Sequence, residues 1–465
     1  MSESTAVYKG PYPPDHPEDP SDLKMDKLYE TKLKYPLLPW SLLLISKLFS
    51  TLPLDITIQG GVTAKYNMFQ LIYSIVVIVG TVYHIYITPY VFNSLQYEAE
   101  EFNITSSSVY YRTVQISFPI VISVAALVSK FTTLFMLRKY IMKLYKSLYY
   151  SDLYNSTIFI DSNVRFHNVL SILLIATCLL INLCINVVRF LQLYESHVTI
   201  IHILYFNYMY FSSIQVYITE LQFLILAYGL YIRFQDINLY LYDVIRANSV
   251  FYNSNYKKEY FYTKLLVKDC TKPPPRSVLR STKLGPVPNA SSVMDAYSLN
   301  LKCNTVSNLR TAHIFLCDSL VYLNSIYDYS LMFSLVCLFI TTLLDIYYEF
   351  FGIVVNEEGH TQIRTYLWII QYIVRFISVI QMCDITSGEA KKARSLIANI
   401  CNRHLDVNTK EELMLFTNHI SSRNIEFSAG GFFNLNTHLI TSAIAAGTTY
   451  LVILVQFNSA SDNKD

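Results

Sequence analysis

The chain has 465 residues, 52% of them hydrophobic and only 15% charged. Soluble chains carry about 25% charged residues, so the composition excludes an ordinary water-solvated globule and indicates one solvated by lipid. The net charge of +2 decides nothing, because what matters is where the charges sit. The basic loops read as solvated faces rather than a nucleic-acid groove, and no phosphate-cradling, dinucleotide, nucleophile-elbow or zinc-ligand spacing occurs, so neither an enzyme, a cofactor nor a metal site is expected.

Met1 is followed by a polar, Pro-rich stretch rather than an apolar core, so no signal peptide is expected. Residues 1–67 read as a cytosolic N-terminal segment. Within it the apolar run Trp40–Leu52 is bracketed by Pro36, Pro39 and Pro53 and carries Lys47. A bilayer span needs about 20 mostly apolar residues, so this run predicts an interfacial or re-entrant helix.

Seven longer stretches qualify as spans. They are Met68–Phe92, Thr113–Leu137, Val169–Tyr194, Thr199–Ile232, Tyr329–Val355, Tyr366–Cys383 and Phe427–Phe457. The chain therefore predicts an all-α, seven-transmembrane protein. Residues 68–232 hold the first four spans, where a ligand pocket is expected. Residues 233–328 form a cytosolic loop whose centre, 270–292, is a Pro-, Ser- and Lys-rich linker. Residues 329–383 hold the fifth and sixth spans, 384–426 a helical cytosolic anchor region, 427–457 the seventh span and 458–465 an extracellular tail.

Orientation follows from Lys and Arg, which collect on the cytosolic side. The segment before the first span holds seven, the second connection five, the fourth twelve and the sixth six. The opposite connections hold almost none, which places the N-terminus inside and the C-terminus outside. Of three glycosylation sequons only Asn103-Ile-Thr105 then lies outside, so Asn103 is the expected glycan acceptor.

Charges at membrane depth are costly and face a cavity or a partner. Lys130, Arg189, Glu220, Asp345 and Arg375 pose that question. Arg189 and Asp345 either serve a ligand or pair with each other; Lys130, Glu220 and Arg375 suit structural pairing deeper in the bundle. On the last span Ser442, Ala445, Ala446, Thr449, Ile453 and Gln456 recur every three or four residues and share one face. A small, polar stripe on an uncharged span has two readings. One is close helix packing through small residues. The other is a pore wall shared among subunits, with Ile453 as an apolar constriction.

The C-terminal run Thr449-Tyr450, five apolar residues, then Gln456-Phe457 resembles the signature of insect gustatory receptors, and Ser442–Phe457 is most similar to their fructose-sensing branch. That resemblance implies a tetrameric ligand-gated cation channel, nonselective, in the plasma membrane. The seventh helix lines its pore. It places Ile453, Gln456 and Phe457 at the gate, Thr449 deeper in the pore and Tyr450 packed behind it. Assembly is then as a homotetramer or with other gustatory receptor subunits, in contact with membrane lipid. The implied ligand is a small-molecule sugar, most specifically fructose.

A sugar needs hydrogen-bonding groups and aromatic faces. The outer halves of the helices offer Arg189, Tyr205, Tyr210, Asp345, Tyr347, Trp368 and Gln371, with Tyr83, His84, Tyr86, Gln115, Asn207 and Tyr372 nearby in depth. By the resemblance, Arg189, Tyr347 and Trp368 match positions of the fructose-sensing branch, whereas Asp345 stands where that branch carries Thr. The ordinary reading of each Tyr is an interface or core ring. Other readings are a gustatory receptor for a bitter compound or another sugar, a G-protein-coupled receptor and a transporter. The charge bias and the missing D-R-Y and N-P-x-x-Y elements oppose the second, and the lack of inverted repeats opposes the third.

Overall fold

The computed structural model describes residues 40–52, 54–57, 63–101, 109–154, ten positions between 169 and 190, 200–253, 303–351, 360–401 and 407–462. Helix α1 (Trp40–Leu48) is nine residues long, about 14 Å at 1.5 Å per residue, half of what a bilayer core requires. A hairpin follows, β1 (Leu54–Thr57) paired antiparallel with β2 (Thr63–Tyr66), Leu54 opposite Tyr66.

The seating of α1 explains Lys130. Its ammonium is buried and donates to the main-chain oxygens of Phe49 and Ser50, each at 2.6 Å. A cation at the carbonyl end of a helix meets the negative end of its dipole. Ser50 takes a left-handed conformation (φ 59°) that ends the helix. Its hydroxyl shares a hydrogen bond of 2.6 Å with Ser74, and Gln222 donates to Ser46 and Thr51 at 2.7 and 2.9 Å.

The bundle comprises α2 (Met68–Glu101), α3 (Val109–Tyr154), α4 (Ile200–Asn253), α5 (Cys303–Phe351) and α6 (His360–Cys401). All five are long and apolar enough to cross a membrane. The last three have 54, 49 and 42 residues, about 60–80 Å of helix. They extend well beyond a bilayer core of about 30 Å. In the most apolar stretch of α4, 72% is buried, against 28% in α2; α4 is the most enclosed of the five, and α2 turns Ile72, Val76, Val79 and Tyr83 outward. Between 169 and 190 the described positions (Val169, Ile172, Leu173, Ala176, Thr177, Leu180, Leu183, Cys184, Val187 and Phe190) are helical and exposed. Their spacing of three and four is one lipid-facing stripe of a helix.

Below the apolar zone, α7 (Val407–Ser422) packs on α5 and α6. Phe234, Leu316, Leu320, Ile397, Leu413 and Phe416 form its core, and His313 sits between the Phe234 and Phe416 rings while bonding the Ala390 carbonyl at 3.0 Å. The chain then makes a second hairpin, β3 (Ser428–Ala429) with β4 (Phe433–Asn434). Gly430 and Gly431 turn it with positive φ (61° and 69°) within a three-residue loop, 430–432, in which the Phe432 amide donates to the Ala429 carbonyl at 3.1 Å. Asn324 accepts from the Ser428 amide at 3.1 Å and Asp328 from the Gly430 amide at 2.7 Å, which pins the hairpin to α5. Helix α8 (Thr437–Asp462) closes the described chain. It begins at Thr437, whereas hydropathy starts the last span at Phe427. The intervening residues are apolar but spend their backbone groups on the hairpin.

Candidate ligand cavity and pore helix

α3, α4, α5 and α6 enclose a cavity of about 20 Å³ lined by Ile122, Ser213, Val216, Ser334, Cys337, Leu338, Thr341, Tyr372 and Arg375. That volume admits one water molecule; ligand pockets for small molecules are of the order of 300 Å³ or more. This cavity is therefore too small for anything larger than water.

Arg375 lines the cavity and pairs with Glu220. The guanidinium donates twice to the carboxylate, Nε to Oε2 and Nη2 to Oε1, both at 2.8 Å, with side chains only 5% and 3% exposed. Ser334 also donates to Glu220, and the guanidinium lies 4.7 Å from the Tyr217 ring centroid. Three helices thus meet at one carboxylate. Above it runs an aromatic column. Tyr372 stacks on Trp368 at 5.5 Å, and Trp368 on Tyr210 at 6.2 Å with planes 7° apart.

The sequence-expected ligand residues therefore divide. Tyr210 and Trp368 join in the column, and Gln371 is buried on the same helix as Trp368. Asp345 is half-buried and lies within electrostatic range of Tyr372; Tyr347 is buried. Tyr205 faces α2 instead: its ring stacks on His84 at 4.3 Å and its hydroxyl donates to Thr88 at 3.0 Å. Arg189 and Asn103 lie outside the described residues. Sequence reading did not single out Ser213, Ser334, Cys337 and Thr341. A signal existed, because Ser330, Ser334, Cys337 and Thr341 recur at helical spacing on one face of α5.

Helix α8 packs on its own chain along one seam. Leu439, Ala443, Gly447, Leu451 and Val455, one every four residues, are buried or half-buried along it, with Ile440 half-buried beside Leu439. A Cβ on Gly447 would stand 3.0 Å from Leu343 and 3.7 Å from Phe339, so the glycine sets how closely α8 meets α5. The stripe of Ser442, Ala445, Ala446, Thr449, Ile453 and Gln456 is exposed. Thr449 and Ile453 lie half a turn from the seam, and Thr449 returns its hydroxyl to the Ala445 carbonyl at 2.9 Å. Tyr450 is 58% and Ile453 39% exposed; Phe457 is helical.

A bundle of five long apolar helices around a small internal cavity, with a further, sparsely packed apolar helix, is the architecture of a multi-pass membrane protein. The family model for the 7tm chemosensory receptors matches residues 41–461, and the chain belongs to that family. Among curated relatives it is 25% identical over 158 residues to gustatory receptor 28b of Drosophila melanogaster, covering 32% of this chain and 34% of the relative. It is 24% identical over 152 residues to the gustatory receptor for sugar taste 43a of the same organism, covering 33% and 36%. The chain thus spans about a third of the length of these relatives. The fold is similar to that of the insect olfactory receptor OR5 from Machilis hrabei, with TM-score 0.60 and 8% identity over 90% of this chain and 97% of the other.

Proposed function

We propose that this chain is a gustatory receptor subunit that assembles as a tetramer around α8 into a nonselective cation channel of the plasma membrane, opened by a sugar, with fructose the leading ligand. The observation that carries the reading is the packing of α8. Among its described side chains, a 26-residue apolar helix touches its own chain along one seam, and the face opposite bears the small and polar stripe. Close packing within the chain is done by the Gly447 seam, so the stripe is left for other subunits and for water. In this reading Ile453, Gln456 and Phe457 form the gate, Thr449 lines the pore and Tyr450 packs behind it.

The ligand enters above the Tyr210–Trp368–Tyr372 column from the outside. Aromatic faces suit the C–H surfaces of a sugar, and Gln371, Asp345 and Arg189 supply hydrogen bonds for its hydroxyls. Ligand must bind the open state better than the closed one; a cavity of water size gives it that difference, because filling it parts α3 from α4 and α6. Two ties carry the movement to α8. Asp384 on α6 accepts from Thr437 at 3.1 Å, and the β3–β4 hairpin is pinned to α5. The N-terminus and the 384–426 anchor are cytosolic, the tail after 457 is extracellular, and Asn103 carries glycan.

Whole-cell recording from cells expressing this chain alone tests the reading. Fructose should evoke a cation current that other sugars evoke less. No current with any sugar, despite tetramers at the surface, contradicts it. A second reading, an apolar tastant in place of sugar, is favoured by the apolar lining of Ile122, Val216 and Leu338; the same recordings with aromatic bitter compounds decide between them.

A further inference from the structure

One face of α3 changes character abruptly along its length. Phe131 and Phe135, exposed and stacked at 6.1 Å with planes 6° apart, are followed on the same face by Lys139, Lys143 and Lys146, with Arg138 beside them. The spacing of four and three keeps the three lysines in line, within about 10 Å of helix axis. Aromatic rings that stay outside the bundle at membrane depth face acyl chains. Ammonium groups directly beneath them lie at headgroup level.

The lysines are held in place by rings. Tyr140 of α3 stacks on Tyr322 of α5 at 6.3 Å. Lys139 lies 5.0 Å and Lys143 5.7 Å from the Tyr140 ring, Lys143 lies 6.0 Å from Tyr322, and Lys146 lies 5.9 Å from Tyr150. The acids of the neighbouring elements are engaged elsewhere: Asp318 of α5 pairs with Arg423, and Asp152 of α3 pairs with Arg233 at 2.8 Å. Among the described residues none of the three lysines makes an ion pair.

We propose that this lysine–tyrosine face at the seam of α3 and α5 binds the headgroup of an inositol phospholipid in the adjoining leaflet. A lone phosphodiester carries one negative charge and leaves most of the cluster unmatched. A headgroup with further phosphates matches three ammonium groups, and its acyl chains lie along Phe131 and Phe135. The leaflet, cytosolic, follows from the orientation proposed above. The binding site itself does not depend on it, because a nanodisc presents lipid to both ends of the bundle.

The test uses the purified full chain in phosphatidylcholine nanodiscs, titrated with fluorescent phosphatidylinositol bisphosphate and read by anisotropy. A lysine near a charged membrane surface contributes about fivefold in affinity. The K139Q/K143Q/K146Q variant should therefore bind about 100-fold more weakly. K139R/K143R/K146R and the cytosolic control K391Q/K392Q should bind as the parent does. All five residues replaced are exposed, and equal elution on size exclusion confirms equal assembly. Binding by the triple glutamine variant within threefold of the parent overturns the proposal. So does displacement of the probe by phosphatidylserine at matched charge, which would mean diffuse attraction only. Inositol trisphosphate binding as tightly as the lipid would assign the site to a soluble phosphate instead.

Discussion

Replacing Glu220 with glutamine removes one charge from a pair whose side chains are 3% and 5% exposed. Arg375 keeps its charge and its place over the Tyr217 ring but loses the carboxylate that takes both of its 2.8 Å bonds. Breaking a buried pair by deleting one partner costs about 3–5 kcal/mol, which is two to three and a half powers of ten in the folding equilibrium at about 1.4 kcal/mol per tenfold. Replacing both with apolar groups of similar volume is close to neutral, so E220L/R375M should recover most of the loss. The coupling energy of the cycle should then exceed about 2 kcal/mol, well beyond the few tenths expected of independent sites. The assay is reversible SDS titration in mixed micelles, with Trp368, two turns before Arg375, as fluorescence reporter. Single variants within about 0.5 kcal/mol of the parent, or a double variant as damaged as the sum, refute the reasoning.

Gly447→Val places branched carbons against Leu343 and Phe339; overpacking costs about 1–3 kcal/mol, and the variant should lose tetramers on native gels while Ser442→Ala does not. Lys130→Met leaves the Phe49 and Ser50 carbonyls without their donor, about 1–3 kcal/mol. A cysteine at the fully buried Ser46 should become reactive to thiol reagents in that background and stay protected in the parent. On α7, burial and then the Arg423 and Arg310 guanidiniums push the His419 imidazole down to about 4, against an opposing pull from Asp318. The folded pKa lies below the unfolded value of 6.5, so the unfolded chain binds more protons between them. Stability contributed here is complete above that ordinary value, falls as pH drops through the interval, and levels off below about 4. A His419→Gln variant should show a shallower slope across that interval in the same SDS titration.

The helices were legible because hydropathy measures what lipid requires. Five appear as long apolar elements, and the described positions between 169 and 190 form an exposed stripe where a third span is expected. The nine-residue α1 could be read from its length, since prolines bracket a run too short to cross. That Lys130, Glu220 and Arg375 are held by structural partners inside the bundle was legible, but which partner each takes was not. Glu220 and Arg375 are 155 positions apart, and nothing local indicates that they meet each other. Lys130 satisfies itself on backbone carbonyls, which have no sequence signature at all. The start of α8 was misjudged at Phe427 because Phe427, Ala429 and Leu435 are buried in a hairpin rather than in lipid, and an apolar residue looks the same in both. Tyr205 and Trp368 illustrate the remaining difficulty. Both are aromatic residues at similar depth, yet one is spent on His84 and Thr88 and the other stands in the column beside the cavity.

A water-lined pore requires that water reach the exposed stripe of α8 from outside the cell when tastant is bound. Cysteine placed at Gln456 or Thr449 can be treated from the bath with a charged, membrane-impermeant thiol reagent during fructose-evoked current. The reagent should block that current irreversibly, Gln456→Cys without ligand and Thr449→Cys only with it. Modification from the cytosolic side alone, or none at either position while Tyr366→Cys reacts, would contradict both the orientation and the pore.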